Sequence, residues 1–453
     1  MNFTYKYAAQ RVRAICGAAL TGLALAALMP AASAQMADEG TVVAAREAWR
    51  VRDKGRLLVA RDALLAAQHP LAPWADYWYF QLRQVEISPE EVDAFLARWP
   101  DSYVADRARN DWLLELGRRQ NWTTFLRIQA GFRMNDDREV ACLGLLARQQ
   151  MGVPVNGAPL RDQARQAWWD QRDADTGCDA MARTLLGAGV LRTEDVWRKL
   201  RLSIEAGKPK AVQQSARLLG DTLSQAVAQL MNQPQNYLQG ARVAAAADAA
   251  DSGARGTPGA GIGPVATGKD EARTRRQKGG KVRPILKPIP LETPPEAQGP
   301  LNLLAFIRWA NQDPTAAAAA ISDPAVRGRW QWRAEETAWA WAQLGRAAAW
   351  RLQPEAPAYY ERALTDWALA ASTGELRLEA ARGDPGWSQD TLNWMARTGL
   401  RAALAGDPGR WTLLDRAIEA MPADQQQDAT WLYWKARSLQ ARGGEAGRRR
   451  ARE

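Results

Sequence analysis

Residues Ser88 to Leu126, SPEEVDAFLARWPDSYVADRARNDWLLELGRRQNWTTFL, constrain this chain more than any other stretch. Val92, Phe95, Leu96 and Trp99 recur at i, i+3, i+4 and i+7, which puts one apolar stripe down an α-helix. Ser88 can cap that helix, Pro89, Glu90 and Glu91 suit its first turn, and Pro100 ends it. Asp101 or Ser102 can cap a second helix, whose stripe is Ala105, Ala108, Trp112 and Leu116, after which Gly117 is expected to let the chain turn. A third helix begins near Asn121 and carries Trp122, Phe125 and Leu126. Helices this short are marginal alone in water, so the stripes must cover one another and then the next pair. A chain that repeats this is an all-α helical solenoid.

Composition agrees with that class. Ala, Leu, Arg, Glu and Gln dominate, and residues of high strand propensity are few outside the tryptophans, so almost no sheet is expected. A chain of 453 residues that is 47% hydrophobic can bury sizeable cores. Helices are expected around residues 74–83, 140–150, 160–169, 179–188, 193–205 and 210–231. Lys54-Gly55, Gly152-Val153-Pro154, Gly177, Gly187-Ala188-Gly189 and Gly207-Lys208-Pro209 are read as the breaks. Stripes resume at Leu301 with Leu303, Leu304, Phe306, Ile307 and Trp309. Most tryptophans sit on such stripes, where a large aromatic fills space between layers, although an exposed ring could also lie against a sugar.

Residues 1–34 read as a secretory signal. Lys6, Arg11 and Arg13 form its positive end, Ala14 to Met29 its apolar run, and Ala32-Ser33-Ala34 its cleavage site. A membrane anchor is the competing reading, but the run is shorter than the roughly 20 residues that span a bilayer and is diluted by Gly17, Thr21 and Gly22. The mature product is therefore expected to be soluble and exported, without stable membrane insertion.

The formal charge of +10 is unevenly placed. Residues 1–34 carry +3, residues 241–300 carry +4 and residues 438–453 carry +3, which leaves the helical body close to neutral. A basic balance of this origin describes segments and not a binding face, so no nucleic-acid partner is expected. The 241–300 stretch is Ala-, Gly- and Pro-rich with few large apolar side chains before Ile285, and is expected to be a disordered linker. The competing reading is a basic arm that touches acidic envelope polymers or anionic lipid.

Removal of Cys16 with the signal leaves Cys142 and Cys178, an even pair in an oxidising compartment. If bonded, they close a 36-residue loop, for which chain entropy gives on the order of 4 kcal/mol. Two buried free thiols are the alternative. The one histidine, His69, precedes Pro70 and suits a structural turn, and no cofactor or metal is expected.

The run FLARWPDSYVADRARNDWLLELGRRQNW, with HPLAPWADY before it and WLYWKARSL near the end, resembles the superhelical N-terminal region of the soluble lytic murein transglycosylases. The resemblance extends from about Arg46 to about Arg442. It implies a right-handed helical-repeat superhelix, a TPR-like α-α solenoid, over residues 35–240 and 301–442, interrupted by the insertion at 241–300 and followed by an irregular basic tail at 443–453. It further implies a periplasmic location, peptidoglycan glycan strands as partner together with cell-wall proteins, and cleavage of the MurNAc–GlcNAc bond.

The family's catalytic Glu sits in a separate lysozyme-like domain, in a Glu-Ser motif with a Gly-Leu-Met-Gln-like run behind it. No Glu here is followed by Ser, so no catalytic residue carries over, and the chain is expected to lack that domain and to be inactive alone. Glu90-Glu91 and Glu335-Glu336 are adjacent pairs whose members diverge by about 100° around a helix, and both read as solvated surface. The rival function is a non-catalytic periplasmic helical-repeat adaptor that binds a protein partner.

Overall fold

The computed structural model describes residues 39–239, 293–373 and 387–450. The expected signal, and residues 241–292 of the expected insertion, lie outside the described residues. Every regular element among the described residues is helical. They form two compact units: 39–171 with 175–191, and 172–174 with the described residues from 192 onward.

The first unit contains α1 (39–50), α2 (Lys54–Ala66), α3 (Ala72–Arg83), α4 (Pro89–Arg98), α5 (Tyr103–Arg118), α6 (Trp122–Gln129), α7 (Arg138–Met151), α8 (Leu160–Asp170) and α9 (Thr176–Gly187). Ser88 Oγ accepts the Glu91 amide at 3.2 Å while the Glu91 carboxylate accepts the Ser88 amide at 3.0 Å, a closed capping box that starts α4. Of the two candidates for α5 it is Ser102 that caps, accepting the Ala105 amide at 3.1 Å. Val92 and Phe95 of α4 and Ala105, Ala108, Trp112 and Leu116 of α5 are buried, as their spacing predicts. Helix α3 packs on α2 and α5, α5 on α6 and α7, and α7 on α8 and α9, so each stripe is covered by a near neighbour in sequence. Phe125 of α6 is fully enclosed by this arrangement, which is worth roughly 2–3 kcal/mol.

Three expected breaks fall inside helices. Lys54 and Gly55 open α2, and the chain turns just before them, where Arg52 takes φ 59°. Gly117 lies within α5, and the turn is made at Gln120 with φ 55°. Its glycine serves close approach, because a Cβ there would lie 2.6 Å from Leu143 Cδ1 of α7. Gly177 is in the first turn of α9, where a Cβ would meet Glu139 Cγ at 2.7 Å and Leu143 Cγ at 2.8 Å. Both glycines let a helix press against α7, a requirement that belongs to the neighbour and leaves no mark on the local pattern.

The second unit contains α10 (Thr193–Glu205), α11 (Pro209–Ala216), α12 (Asp221–Asn232), α13 (234–239), α14 (Pro295–Gln312), α15 (Pro314–Ser322), α16 (Pro324–Gly328), α17 (Ala334–Trp350), α18 (Ala356–Thr373), α19 (Gln389–Leu404), α20 (Trp411–Glu419), α21 (Ala423–Gln426), α22 (Ala429–Arg442) and α23 (Gly444–Arg450). The helix expected over 210–231 is two, separated by a 3-10 turn and by Gly220 at φ 91°, ψ 169°, a backbone state essentially confined to glycine. Helix α14 begins at Pro295, ahead of the expected start at Leu301. Proline at the first position loses no bond, and Ala297 and Gly299 are buried, the latter with the Gln331 carbonyl oxygen 3.0 Å from where a Cβ would sit. The tail expected to be irregular is helical over Gly444–Arg450, in keeping with its Ala, Glu and Arg content.

Leu301, Leu303, Leu304, Phe306 and Ile307 of α14 form a core that α10, α12 and α17 cover. Arg308 Nε donates to the Met231 carbonyl at 3.3 Å, so residues on the two sides of 240–292 share one interior. Helix α17 packs on α18 and α19, α19 on α20, and α20 on α22. Among the described residues no helix is long and apolar enough to cross a membrane.

Candidate functional site

Acid catalysis at a glycosidic bond needs a carboxylic acid that its surroundings keep protonated and that substrate can reach. Four carboxylates of the first unit, Asp76 and Asp106 buried and Asp137 and Glu139 half-buried, fasten backbone and helices. Asp76 on α3 accepts Arg98 Nη1 at 2.7 Å and the Trp99 indole at 2.9 Å, which ties the end of α4 down. Asp106 on α5 accepts the amides of Arg133 at 3.1 Å and Met134 at 2.7 Å, holding the α6–α7 connection. Asp137 caps α7 and accepts Asn110 Nδ2 at 3.0 Å, and Glu139 accepts Thr176 Oγ1 and the Gly177 amide, each at 2.8 Å, at the start of α9.

In the second unit Glu205, the last residue of α10, accepts the hydroxyls of Ser388 and Thr391. Gln343 Nε2 donates to Thr391 Oγ1 at 3.1 Å, and both residues are fully buried, which closes the cluster to any substrate. Tyr360 borders it, and burial pushes its phenol well above the ordinary range. Asp366 on α18 is held above its usual range by burial, while the charges of Arg327 and Arg362 pull it back. Among the described residues the charges that act on it are those of the two arginines.

The other sequence candidates resolve as follows. Glu90 and Glu91 are exposed on the first turn of α4, as expected. Glu336 is not solvated: it is 3% exposed, accepts the Arg333 amide at 3.2 Å and has Arg201 Nη2 at 3.9 Å. Its place in the first turn of α17 turns it into the helix start, and α10 supplies the cation. His69 sits in the predicted turn, where Nδ1 accepts the Leu71 amide at 3.1 Å. Cys142 on α7 and Cys178 on α9 are buried and joined as a disulfide. Among the described residues no group of His, Cys, Asp and Glu is arranged to hold a metal ion. A shallow depression of about 350 Å³ is lined by Arg107, Asp136, Asp137, Arg138 and Gln171, but its Asp137 is already the cap of α7.

The tryptophans divide more sharply than their spacing predicts. All 21 lie among the described residues, and Trp112, Trp330, Trp339 and Trp341 are wholly enclosed. Trp350 is the exception, 70% exposed at the last residue of α17. It meets Trp394 of α19 edge-to-face, with ring centroids 5.3 Å apart and planes at 71°. The Arg397 guanidinium lies 5.6 Å from the centre of the Trp394 ring. Trp394, Arg397, Arg401 and Leu404 share one face of α19 at i, i+3, i+7 and i+10. Sequence reasoning missed this patch because Trp350 is only about 20° from buried Trp339 around the helix, so periodicity places it inside.

Neither protein-family models nor curated proteins give a match to the chain. Solved structures do. The chain is similar to an inactive mutant of the lytic transglycosylase Slt from Pseudomonas aeruginosa, at 20% identity and a TM-score of 0.42, over 88% of this chain and 52% of that one. It is likewise similar to the 70 kDa soluble lytic transglycosylase from Escherichia coli, solved alone and in complex with bulgecin A, at 18% identity and a TM-score of 0.42, over 91% of this chain and 54% of that one. This chain spans about half the length of the solved structures it is similar to.

Proposed function

We propose that this chain is the helical scaffold of a periplasmic, peptidoglycan-processing protein of the soluble lytic murein transglycosylase kind. The observation that carries the reading is the run from Ser88 to Leu126, whose residues resemble that family and which folds as three consecutive capped helices, α4, α5 and α6. Support comes also from the signal-like first 34 residues and from the Cys142–Cys178 pair, which suits an oxidising compartment. The reaction of such a protein is non-hydrolytic cleavage of the MurNAc–GlcNAc bond to an anhydro-muramic end. In the family it resembles, the acid for that step belongs to a separate lysozyme-like domain, and among the described residues the carboxylates set out above fasten helices and loops. What this chain contributes is a surface that holds glycan.

The test is co-sedimentation of the purified chain with isolated murein sacculi, followed by chromatography of the supernatant. The chain is expected to pellet with sacculi and to release no anhydro-muropeptides. A chain that stays in the supernatant overturns the reading in favour of a protein-binding adaptor. Release of anhydro-muropeptides would place the acid within these residues and overturn the scaffold assignment.

A further inference from the structure

At the junction of α17 and α19 we propose a glycan-binding platform, in which Trp350 takes the apolar face of a pyranose ring and Arg397 and Arg401 take a carboxylate carried beside that ring. The proposal rests on the peptidoglycan reading for the identity of the polymer. Its geometry stands on the side chains alone. Twenty of the 21 tryptophans are buried or half-buried, and Trp350, at 70% exposure, is not. Its ring is not loose, because the edge-to-face contact with Trp394 fixes its plane. The C–H groups on one side of a pyranose ring suit the electron-rich face of such an indole. Leu352, two residues further along the chain, is also exposed, at 68%.

Charge selects the ligand further. Arg346 is spent on Asp390 at 2.7 Å and Arg351 on the Asn311 carbonyl at 2.6 Å, but among the described residues neither Arg397 nor Arg401 forms an ion pair. An occupant that is apolar on a flat face and anionic at its edge answers both features. A glycan strand whose sugars carry peptide stems with carboxylates has that chemistry. A folded protein partner does not fit as well, since a stable protein interface uses roughly 20–30 residues a side and this patch has a handful.

The experiment compares full-length wild type with Trp350→Ala and with the double variant Arg397→Gln/Arg401→Gln. Each is titrated against intact sacculi and against chitin, a β-1,4-linked N-acetylglucosamine polymer whose rings carry no carboxylate. Trp350→Ala is expected to weaken binding to both by roughly tenfold, with only a small drop in the unfolding midpoint from the lost contact with Trp394. The arginine variant is expected to lose roughly threefold on intact sacculi and nothing on chitin. If wild type binds and Trp350→Ala binds equally well, the platform is wrong while the peptidoglycan reading stands. If wild type binds neither preparation, both fall. If Trp350→Ala instead abolishes self-association in sedimentation velocity and leaves glycan binding intact, the patch belongs to a second copy of this chain and the glycan proposal is overturned.

Discussion

Leu352 pays in backbone strain for where it stands. Its amide donates to the Ala349 carbonyl at 3.1 Å and the Gln353 amide to the Ala348 carbonyl at 2.9 Å, the paired bonds that close a helix through a left-handed residue, here at φ 57°. Glycine usually fills that place. Leu352→Gly is expected to raise stability by about 0.5 kcal/mol, the relief of left-handed strain less the chain entropy that glycine costs. A thermal or denaturant midpoint reads the change. Gly117 presents the opposite case, because an added methyl would meet Leu143 Cδ1 at 2.6 Å. Gly117→Ala should cost about 1–3 kcal/mol, while Gly187→Ala, with nothing within 4 Å of the new Cβ, should be neutral or mildly stabilising. Equal effects at the two sites would mean that α5 and α7 do not meet as closely as described. Asp366 gives a pH-dependent prediction. Burial raises its folded pKa above the ordinary 3.8, so the unfolded state holds the proton less tightly, and the neutral form's stability is lost as pH rises through the folded value. Asp366→Asn should therefore be more stable than wild type at pH 7, with the difference vanishing near pH 3, where both side chains are neutral. Unfolding midpoints of the two proteins at both pH values decide it.

Among the elements, α7 and α9 are tied by a covalent bond as well as by packing. The Cys142–Cys178 disulfide, the Glu139 contacts to Thr176 and Gly177, and Leu143 against Gly177 all join them. The disulfide closes 36 residues, so Cys142→Ala/Cys178→Ala should lower stability by about 2–4 kcal/mol, and reductant should act on wild type alone. Two titratable thiols in the denatured, unreduced protein would show that the bond is absent. Much of this level was legible in the sequence. The stripes of α4 and α5, the Ser88 cap and the turn at His69 follow from spacing and cap chemistry, which are local. What escaped depends on neighbours. Gly117 and Gly177 read as breaks because a glycine's sequence context does not show the side chain that fills its missing methyl. Glu336 read as solvated because its partner Arg201 comes from α10, more than a hundred residues away. Trp350 escaped because it continues the helical pattern that buries Trp339, although its side chain stands 70% exposed beside Trp394 of α19.

For the molecule as a whole, the open matter is what residues 241–292 do for the unit they interrupt. The interior around α14 is built from both sides of them: α10 and α12 precede, α17 follows, and Arg308 donates across to Met231. Helix α14 starts at Pro295 with Ala297 and Gly299 already buried, so the removable part ends before that proline. We propose that the segment is an insertion that the second unit does not need. Halving a connection changes its closure entropy by only about 0.6 kcal/mol, and in the direction that favours the folded state. Deleting Gly253 to Pro290 should therefore leave the midpoint of unfolding unchanged or slightly raised. A deletion carried on to Gly299 should lower it, because it removes the first turn of α14 and the contact with Gln331. A second arm needs no deletion. Residues 1–250 and 290–453 are expressed as separate chains in one cell, with an affinity tag on the first only. Burial of Leu301, Leu303, Phe306 and Ile307 against α10 and α12 should bring the second fragment down with the first. Recovery of the tagged fragment alone, with the other aggregated or degraded, would show that the two sides do not form one interior without the covalent connection.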